Sequence, residues 1–156
     1  MKTRLIVEVS ESGVKAVKLA GKKGRSRSDS QRAQPPRWKR TAQREIGAYF
    51  SGRLRSFSTL CDLDGLPPFT RAVLKITARI PYGEIRSYRW IANKLGKPRA
   101  SRAVGNALAR NPIPIIIPCH RVVRSDGSLG GYALGLDWKK RLLELERSRL
   151  KIRRRA

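Results

Sequence analysis

The chain has 156 residues, 40% of them hydrophobic, with 36 Lys and Arg against 11 Asp and Glu and a formal charge of +25. That length suits one domain, or one with a small companion, and no apolar run approaches the ~20 residues that span a bilayer. Two cysteines make no disulfide framework, which points to a reducing cytoplasmic interior, and so large an uncompensated positive charge calls for a polyanion such as nucleic acid.

The N-terminus alternates like a strand and lacks a signal-peptide core. Residues 4–9 and 13–20 are predicted to be two strands around the turn Glu11-Ser12-Gly13. Residues 21–36 hold few apolar side chains and end at Pro35-Pro36, so a mobile basic loop is expected. Residues 37–51 read as a helix with Trp38, Ile46, Tyr49 and Phe50 as its apolar members. Residues 52–68 read as a connector closed by Leu66-Pro67-Pro68.

The second half is predicted to be mostly helical. Phe69 to Arg79 places Val73, Leu74 and Ile76 on a buried face, and Pro81-Tyr82-Gly83 stops it. Ser87 is the expected N-cap of a short helix Tyr88–Leu95, Gly96 makes a turn, and Arg99–Arg110 follows as the next helix. Two short helices around a glycine turn form a helix-turn-helix pattern. The second of them carries Arg99, Arg102 and Arg110 beside Ala100, Ala103, Gly105 and Ala107. Small side chains let a backbone approach DNA, and they also let helices pack closely, so the pattern alone leaves both open. Ser125-Asp126-Gly127-Ser128 is a turn. A last helix starts near Leu136 or Asp137, with Trp138, Leu142, Leu143 and Leu145 as its apolar face and Glu146 near its end. Arg147–Arg155 then reads as a frayed basic tail.

Ile117-Pro118-Cys119-His120-Arg121-Val122 holds the sole histidine beside one of the two cysteines. A neighbouring imidazole or cation can favour the thiolate, and the apolar run Ile113-Pro114-Ile115-Ile116-Ile117-Pro118 would fix the sulfur in a dry, preset position. Taken singly these residues have plainer readings. Cys119 is also what an inert core thiol looks like, and adjacent residues on a strand point to opposite faces. A helix-turn-helix regulator and a Cys-His hydrolase stay open at this point.

The segment from Asn111 through Val123 resembles the active-site signature of the O6-alkylguanine-DNA alkyltransferases. Ile80-Pro81-Tyr82-Gly83-Glu84, Ser87-Tyr88 and Arg102-Ala103-Val104-Gly105-Asn106-Ala107 are similar to that family's upstream segments. Gly131-Tyr132 and Leu142-Leu143-Glu144-Leu145-Glu146 fit downstream in order and spacing. The similarity covers residues 66–147.

That resemblance implies direct-reversal DNA repair, in which one alkyl group moves irreversibly from O6 of an extruded guanine to Cys119, with minor activity on O4-alkylthymine. It implies that His120 takes the thiol proton through a water and that Glu146 orients the imidazole. Asn111 would bridge the active-site turn and the recognition-helix region, and Tyr88 would donate to the leaving guanine. Arg102 would enter the base stack, and Thr70, Arg89, Lys97 and Ser125 would contact DNA. Pro114, Tyr132 and Ala133 would line the base pocket. Non-catalytic lesion binders in the wider family replace the acceptor cysteine, which is present here. Some relatives hold a structural zinc, but the matching ligands are missing, so no metal and no cofactor is expected.

The fold class implied is α+β. An RNase H-like strand-and-helix domain would occupy 1–60, with its basic loop at 21–36. A helical domain for DNA binding and alkyl transfer, with a winged-helix-like helix-turn-helix, would occupy 66–150, followed by a basic tail at 151–156. The partner implied is double-stranded DNA containing O6-alkylguanine, with no membrane. The protein would be a monomer in the cytoplasm of a prokaryotic cell, associated with the nucleoid. The family implies a minor-groove approach, where the helix-turn-helix alone would suggest the major groove.

Overall fold

The computed structural model describes residues 4–20 and 37–155, with side chains described as far as Arg149. The basic loop expected at 21–36 lies outside the described residues. Strand β1 (Leu5–Val9) pairs antiparallel with β2 (Val14–Leu19), with Leu5 opposite Leu19 and Val7 opposite Val17. Their β-branched residues Val7, Val14 and Val17 are buried on one face. Helix α1 (Arg37–Phe50) covers that face with Ala42 and Ile46, while its Tyr49 is buried in a second cluster with Ile115 and Leu142.

The connector after α1 is fastened rather than loose. Val14 N–H donates to Leu60 O and Asp62 N–H donates to Val14 O, each at 2.8 Å, so the connector runs beside β2. This close approach needs Gly13, where a Cβ would lie 2.5 Å from Leu60 O. The buried Glu45 carboxylate accepts from the backbone N–H groups of Ser58 and Thr59, at 3.1 and 3.0 Å.

Helix α2 (Pro68–Thr77) starts on a proline, whose missing N–H costs nothing in a first turn. Ser87 caps α3 (Tyr88–Lys94), its hydroxyl accepting from Trp90 N–H at 3.0 Å. The turn at Gly96 leads to α4 (Ser101–Ala109), which packs on α3 and α2. Strand β3 (Arg86–Ser87) pairs with β4 (Val122–Val123), joining the start of α3 to the segment that follows the cysteine. The pairing is parallel, with Ser87 opposite Val123.

Helix α5 (Leu136–Arg155) corrects the C-terminal expectation. The segment expected as a frayed tail, including its last residues from 151, continues the helix to Arg155, so Glu146 sits mid-helix. No glycine or proline interrupts this Leu-, Glu-, Lys- and Arg-rich run. Its buried face also differs from the expected one. Lys139, Leu142 and Glu146, spaced by three and four, are buried, while Trp138, Leu143 and Leu145 are only partly covered.

One continuous core crosses the boundary between the two expected units. Val7, Val14, Val17, Ala42 and Ile46 pack with Val73, Leu74, Ile91, Val104, Ile113, Ile117 and Cys119. Val17 N–H also donates to Pro112 O at 2.8 Å, tying the hairpin to the entrance of the cysteine segment. Among the described residues no helix is long and apolar enough to cross a membrane.

Candidate active site

The cysteine segment is an apolar rod. Ile113 and Ile115 are fully buried, Ile116 and Ile117 nearly so, and Ile117 N–H closes a turn onto Ile113 O at 3.0 Å. Ile115 has φ +78°, a left-handed conformation that a β-branched residue adopts only where its surroundings hold it. The rod ends in a 3-10 turn, Cys119–Arg121. Cys119 and His120 therefore do not sit on opposite faces of a strand; a 3-10 turn spreads successive side chains by a third of a revolution.

Asn111 holds this turn in shape. Its Oδ1 accepts from Ile113 N–H at 3.0 Å, and its Nδ2 donates to Ile117 O at 3.2 Å and to Cys119 Sγ at 3.1 Å. Burial pushes the Cys119 thiol up to about 11, against the Asn111 hydrogen bond and the Lys139 charge that favour the thiolate. The resting sulfur is thus a thiol, not the poised thiolate that its neighbours suggested. Ionising it needs a base at the moment of reaction.

That base is at hand. His120 is fully buried, with Nε2 2.8 Å from Glu146 Oε1. A carboxylate only accepts, so the neutral imidazole carries its proton on Nε2. Nδ1 is left as an acceptor with no partner among the described residues. Burial lowers the imidazole below its ordinary value, helped by the Arg121 and Lys139 charges and opposed by Glu146, so it is neutral at neutral pH. Burial alone would raise Glu146, but hydrogen bonds and charges from His120 and Arg121 outweigh it and hold the carboxyl at about 2. Arg121 donates to Glu146 Oε1 through Nη2 at 2.9 Å and to Ile80 O through Nη1 at 2.6 Å. Gly83 N–H donates to Glu146 Oε2 at 2.8 Å.

Four members of this cluster were not among the site residues read from the sequence: Tyr49, Gly83, Arg121 and Lys139. The Lys139 ammonium is buried and donates to the carbonyls of Val122 at 2.6 Å, Gly131 at 3.1 Å and Leu129. Burial brings it down to about 8, the cysteine pulling the other way. The one signal that could have found it is its helical register with Leu142 and Glu146.

Tyr88 lies half-buried, its ring 5.8 Å from Lys139 Nζ and so close to Gly130 that a Cβ there would fall 2.5 Å from the hydroxyl. It opens onto a cavity of about 420 Å3 lined also by Arg89, Arg102, Arg124, Ser125 and Gly131. The structure thus gathers Tyr88, Arg89, Arg102 and Ser125 around one hollow. Lys97 is exposed beside Pro98 and Arg99 in a separate shallow cleft. Thr70, only 7% exposed in the first turn of α2, is not on the open surface expected of a DNA contact. Tyr132 meets His120 edge-on, with ring centroids 6.2 Å apart. Pro114 is buried and Ala133 exposed, and neither lines the cavity. Cys61 is half-buried beside β2, with its thiol pushed up to about 11 by burial, and both cysteines are free.

Residues 68–148 match the family described as 6-O-methylguanine DNA methyltransferase, DNA binding domain. The chain belongs to this family. It is 46% identical over 147 residues to the methylated-DNA–protein-cysteine methyltransferase of Methanosarcina barkeri, covering 94% of this chain and 92% of that one. Among solved structures, Mycobacterium tuberculosis OGT in complex with DNA superposes with TM-score 0.77 at 38% identity, over 93% of this chain and 87% of that one. The O6-methylguanine-DNA methyltransferase of Pyrococcus kodakaraensis strain KOD1 gives TM-score 0.62 at 29% identity, over 91% and 97%. These likenesses run well beyond the matched DNA-binding domain and take in the N-terminal unit.

Proposed function

We propose that the chain repairs DNA by direct reversal, moving a methyl or other alkyl group from O6 of guanine in duplex DNA to Cys119, irreversibly and once per molecule. The observation that carries this reading is a buried thiol next in sequence to a buried His120–Glu146 pair whose second imidazole nitrogen is unengaged. His120 Nδ1 takes the Cys119 proton through a bound water. The sulfur displaces the oxygen at the alkyl carbon, so a C–S bond forms as the C–O bond breaks. Guanine leaves as an anion and receives a proton from the Tyr88 hydroxyl. The proton held by His120 returns through water to the Tyr88 phenolate, so in net terms the thiol proton ends on guanine and both side chains are restored. The thioether is stable, which is why the protein is consumed, and the acceptor is the chain itself, so no cofactor enters.

The reacting carbon lies inside a duplex, so the nucleotide must be turned out at a cost of a few kcal/mol of stacking. Arg102 on α4 fills the gap, and Arg89, Lys97 and Ser125 hold the backbone, sequence-blind as a lesion scanner must be. Pro114, Tyr132 and Ala133 shape the base pocket, where Ala133 offers no hydroxyl to O6. O4-alkylthymine presents the same O-alkyl group and is a minor substrate. The hairpin with α1 corresponds to an RNase H-like unit, and α3–α4 to a winged-helix-like motif that approaches the minor groove. The protein acts as a monomer in the cytoplasm at the nucleoid of a prokaryote, in keeping with its archaeal and bacterial relatives.

Mixing the protein with duplex DNA carrying O6-methylguanine will add about 14 Da, one net methylene, to the Cys119 peptide. Cys119→Ser will gain nothing while still binding the duplex. Wild-type protein that stays unmodified while folded and DNA-bound would refute the reading.

A further inference from the structure

Tyr49 lies on α1, outside the matched methyltransferase domain, yet it reaches the catalytic cluster. It is fully buried, and its hydroxyl donates to Glu146 Oε1 at 2.7 Å while standing 3.4 Å from His120 Nε2. The same carboxylate oxygen also receives His120 Nε2 and Arg121 Nη2, at 2.8 and 2.9 Å. Arg121 Nε lies 3.2 Å from it as well, so an oxygen with two lone pairs faces four donor atoms from three residues, and what one donor gains the others lose.

We propose that Tyr49 is a positioning residue for alkyl transfer: by sharing Glu146 Oε1 with His120 it sets the tautomer and the proton affinity of the imidazole. The proposal rests on the assignment of His120 as the base. A carboxylate stripped of one donor pulls harder on its remaining ones, so losing the Tyr49 hydroxyl stabilises protonated His120. An imidazole that holds its proton cannot accept one from Cys119. Tyr49 therefore keeps the base neutral and available.

Other groups around His120 act mainly through charge: Arg121 and Lys139 lower its proton affinity, and Tyr49 adds a neutral donor to the carboxylate oxygen that Arg121 also shares. Glu146 and Lys139 face it from α5, Arg121 and Cys119 belong to its own turn, and Tyr132 meets it edge-on from the loop after β4. Tyr82 stands behind Tyr49, with ring centroids 5.9 Å apart and an interplanar angle of 76°. Burial and the Glu146 charge hold the Tyr49 phenol far above its ordinary value, so it stays a neutral donor throughout the working range. The ring also packs against Phe50 and Phe57, with centroids 5.5 Å away in each case, so a purely structural role has to be separated from the polar one.

Tyr49→Phe keeps the ring and removes only the hydroxyl. His120 is the sole histidine, so its NMR titration reads without ambiguity. The variant's imidazole midpoint should rise by about half to one pH unit. The acid limb of the single-turnover rate against pH, measured on O6-methylguanine duplex, should move up by the same amount. An unmoved midpoint in folded variant overturns the Tyr49 assignment alone. A midpoint that moves while the rate profile stays fixed overturns His120 as the base, and the catalytic role of Tyr49 with it. Wild type provides a check that needs no variant: imidazole nitrogen shifts should show the proton on Nε2, and a proton on Nδ1 overturns the proposal.

Discussion

Cys119 is held as a thiol until it is needed. With its ionisation pushed up to about 11, only about one sulfur in ten thousand is ionised at neutral pH, which protects a single-use nucleophile from stray electrophiles and oxidants. After the Asn111 hydrogen bond, Lys139 is the next counterweight, since its buried charge favours the thiolate while its three hydrogen bonds pin the carbonyls of Val122, Leu129 and Gly131. Lys139→Met keeps much of the side-chain volume and removes both effects. Transfer should slow by roughly ten-fold or more, as each added pH unit of thiol ionisation is a factor of ten. Stability should fall by about 3 kcal/mol, because buried carbonyls lose their donor. Single-turnover rates and the pH dependence of iodoacetamide labelling at Cys119 measure the first, and denaturant melts the second. Wild-type labelling and transfer in a folded variant would remove Lys139 from the chemistry. The charge was invisible to sequence reasoning because a lysine in a basic chain is read as solvated, and only tertiary packing shows the carbonyls that receive it.

The short helix α3 shows what local sequence determines well. Ser87 was legible as its cap and Gly96 as the turn that ends it, because capping and left-handed turns depend on one or two residues and their immediate backbone. The cap also aims Tyr88, the first residue of the helix, and Ser87 pairs with Val123 just beyond the cysteine turn. Ser87→Ala should cost about 1 kcal/mol and reduce the transfer rate, while Ser87→Asp, which restores an acceptor for Trp90 N–H, should recover most of both. Melting curves and single-turnover rates of the two variants decide this; equal loss in both would mean that the cap does not position Tyr88. Helix α5 shows the opposite case. Its start at Leu136 was legible, but its buried face was not, because two of the three residues turned inward are charged and apolar patterning counts only the third. The β3–β4 pair escaped notice for a related reason: two residues carry no periodicity, and their partners lie 36 positions apart in the chain.

At the scale of the whole molecule, composition was a sound guide to the partner and a poor one to the assembly of the site. A charge of +25 pointed to a polyanion, and the chain belongs to the family of the 6-O-methylguanine DNA methyltransferase DNA-binding domain. The hydrogen bond from Tyr49 to Glu146, 97 positions apart, and the core shared by hairpin and helices were legible in no local pattern. The excess charge also gives salt two opposite effects. Self-repulsion weakens the free protein, so added salt should raise its melting temperature; counterion release drives DNA binding, so the same salt should weaken the complex. Arg124 tests the general attraction, since it is exposed at the rim of the Tyr88 cavity and belongs to none of the hydrogen bonds around Cys119, His120 and Glu146. Arg124→Ala should lower the slope of log affinity against log salt by about one, equally for damaged and undamaged duplex. Transfer at saturating DNA should fall by a few-fold at most, because the thiol, His120 and Glu146 are untouched and only Tyr88 loses a charge that lowers its phenol. Binding titrations at several salt concentrations, with single-turnover rates on the same samples, measure both. A loss confined to lesion-containing DNA would instead make Arg124 a reader of the damaged base.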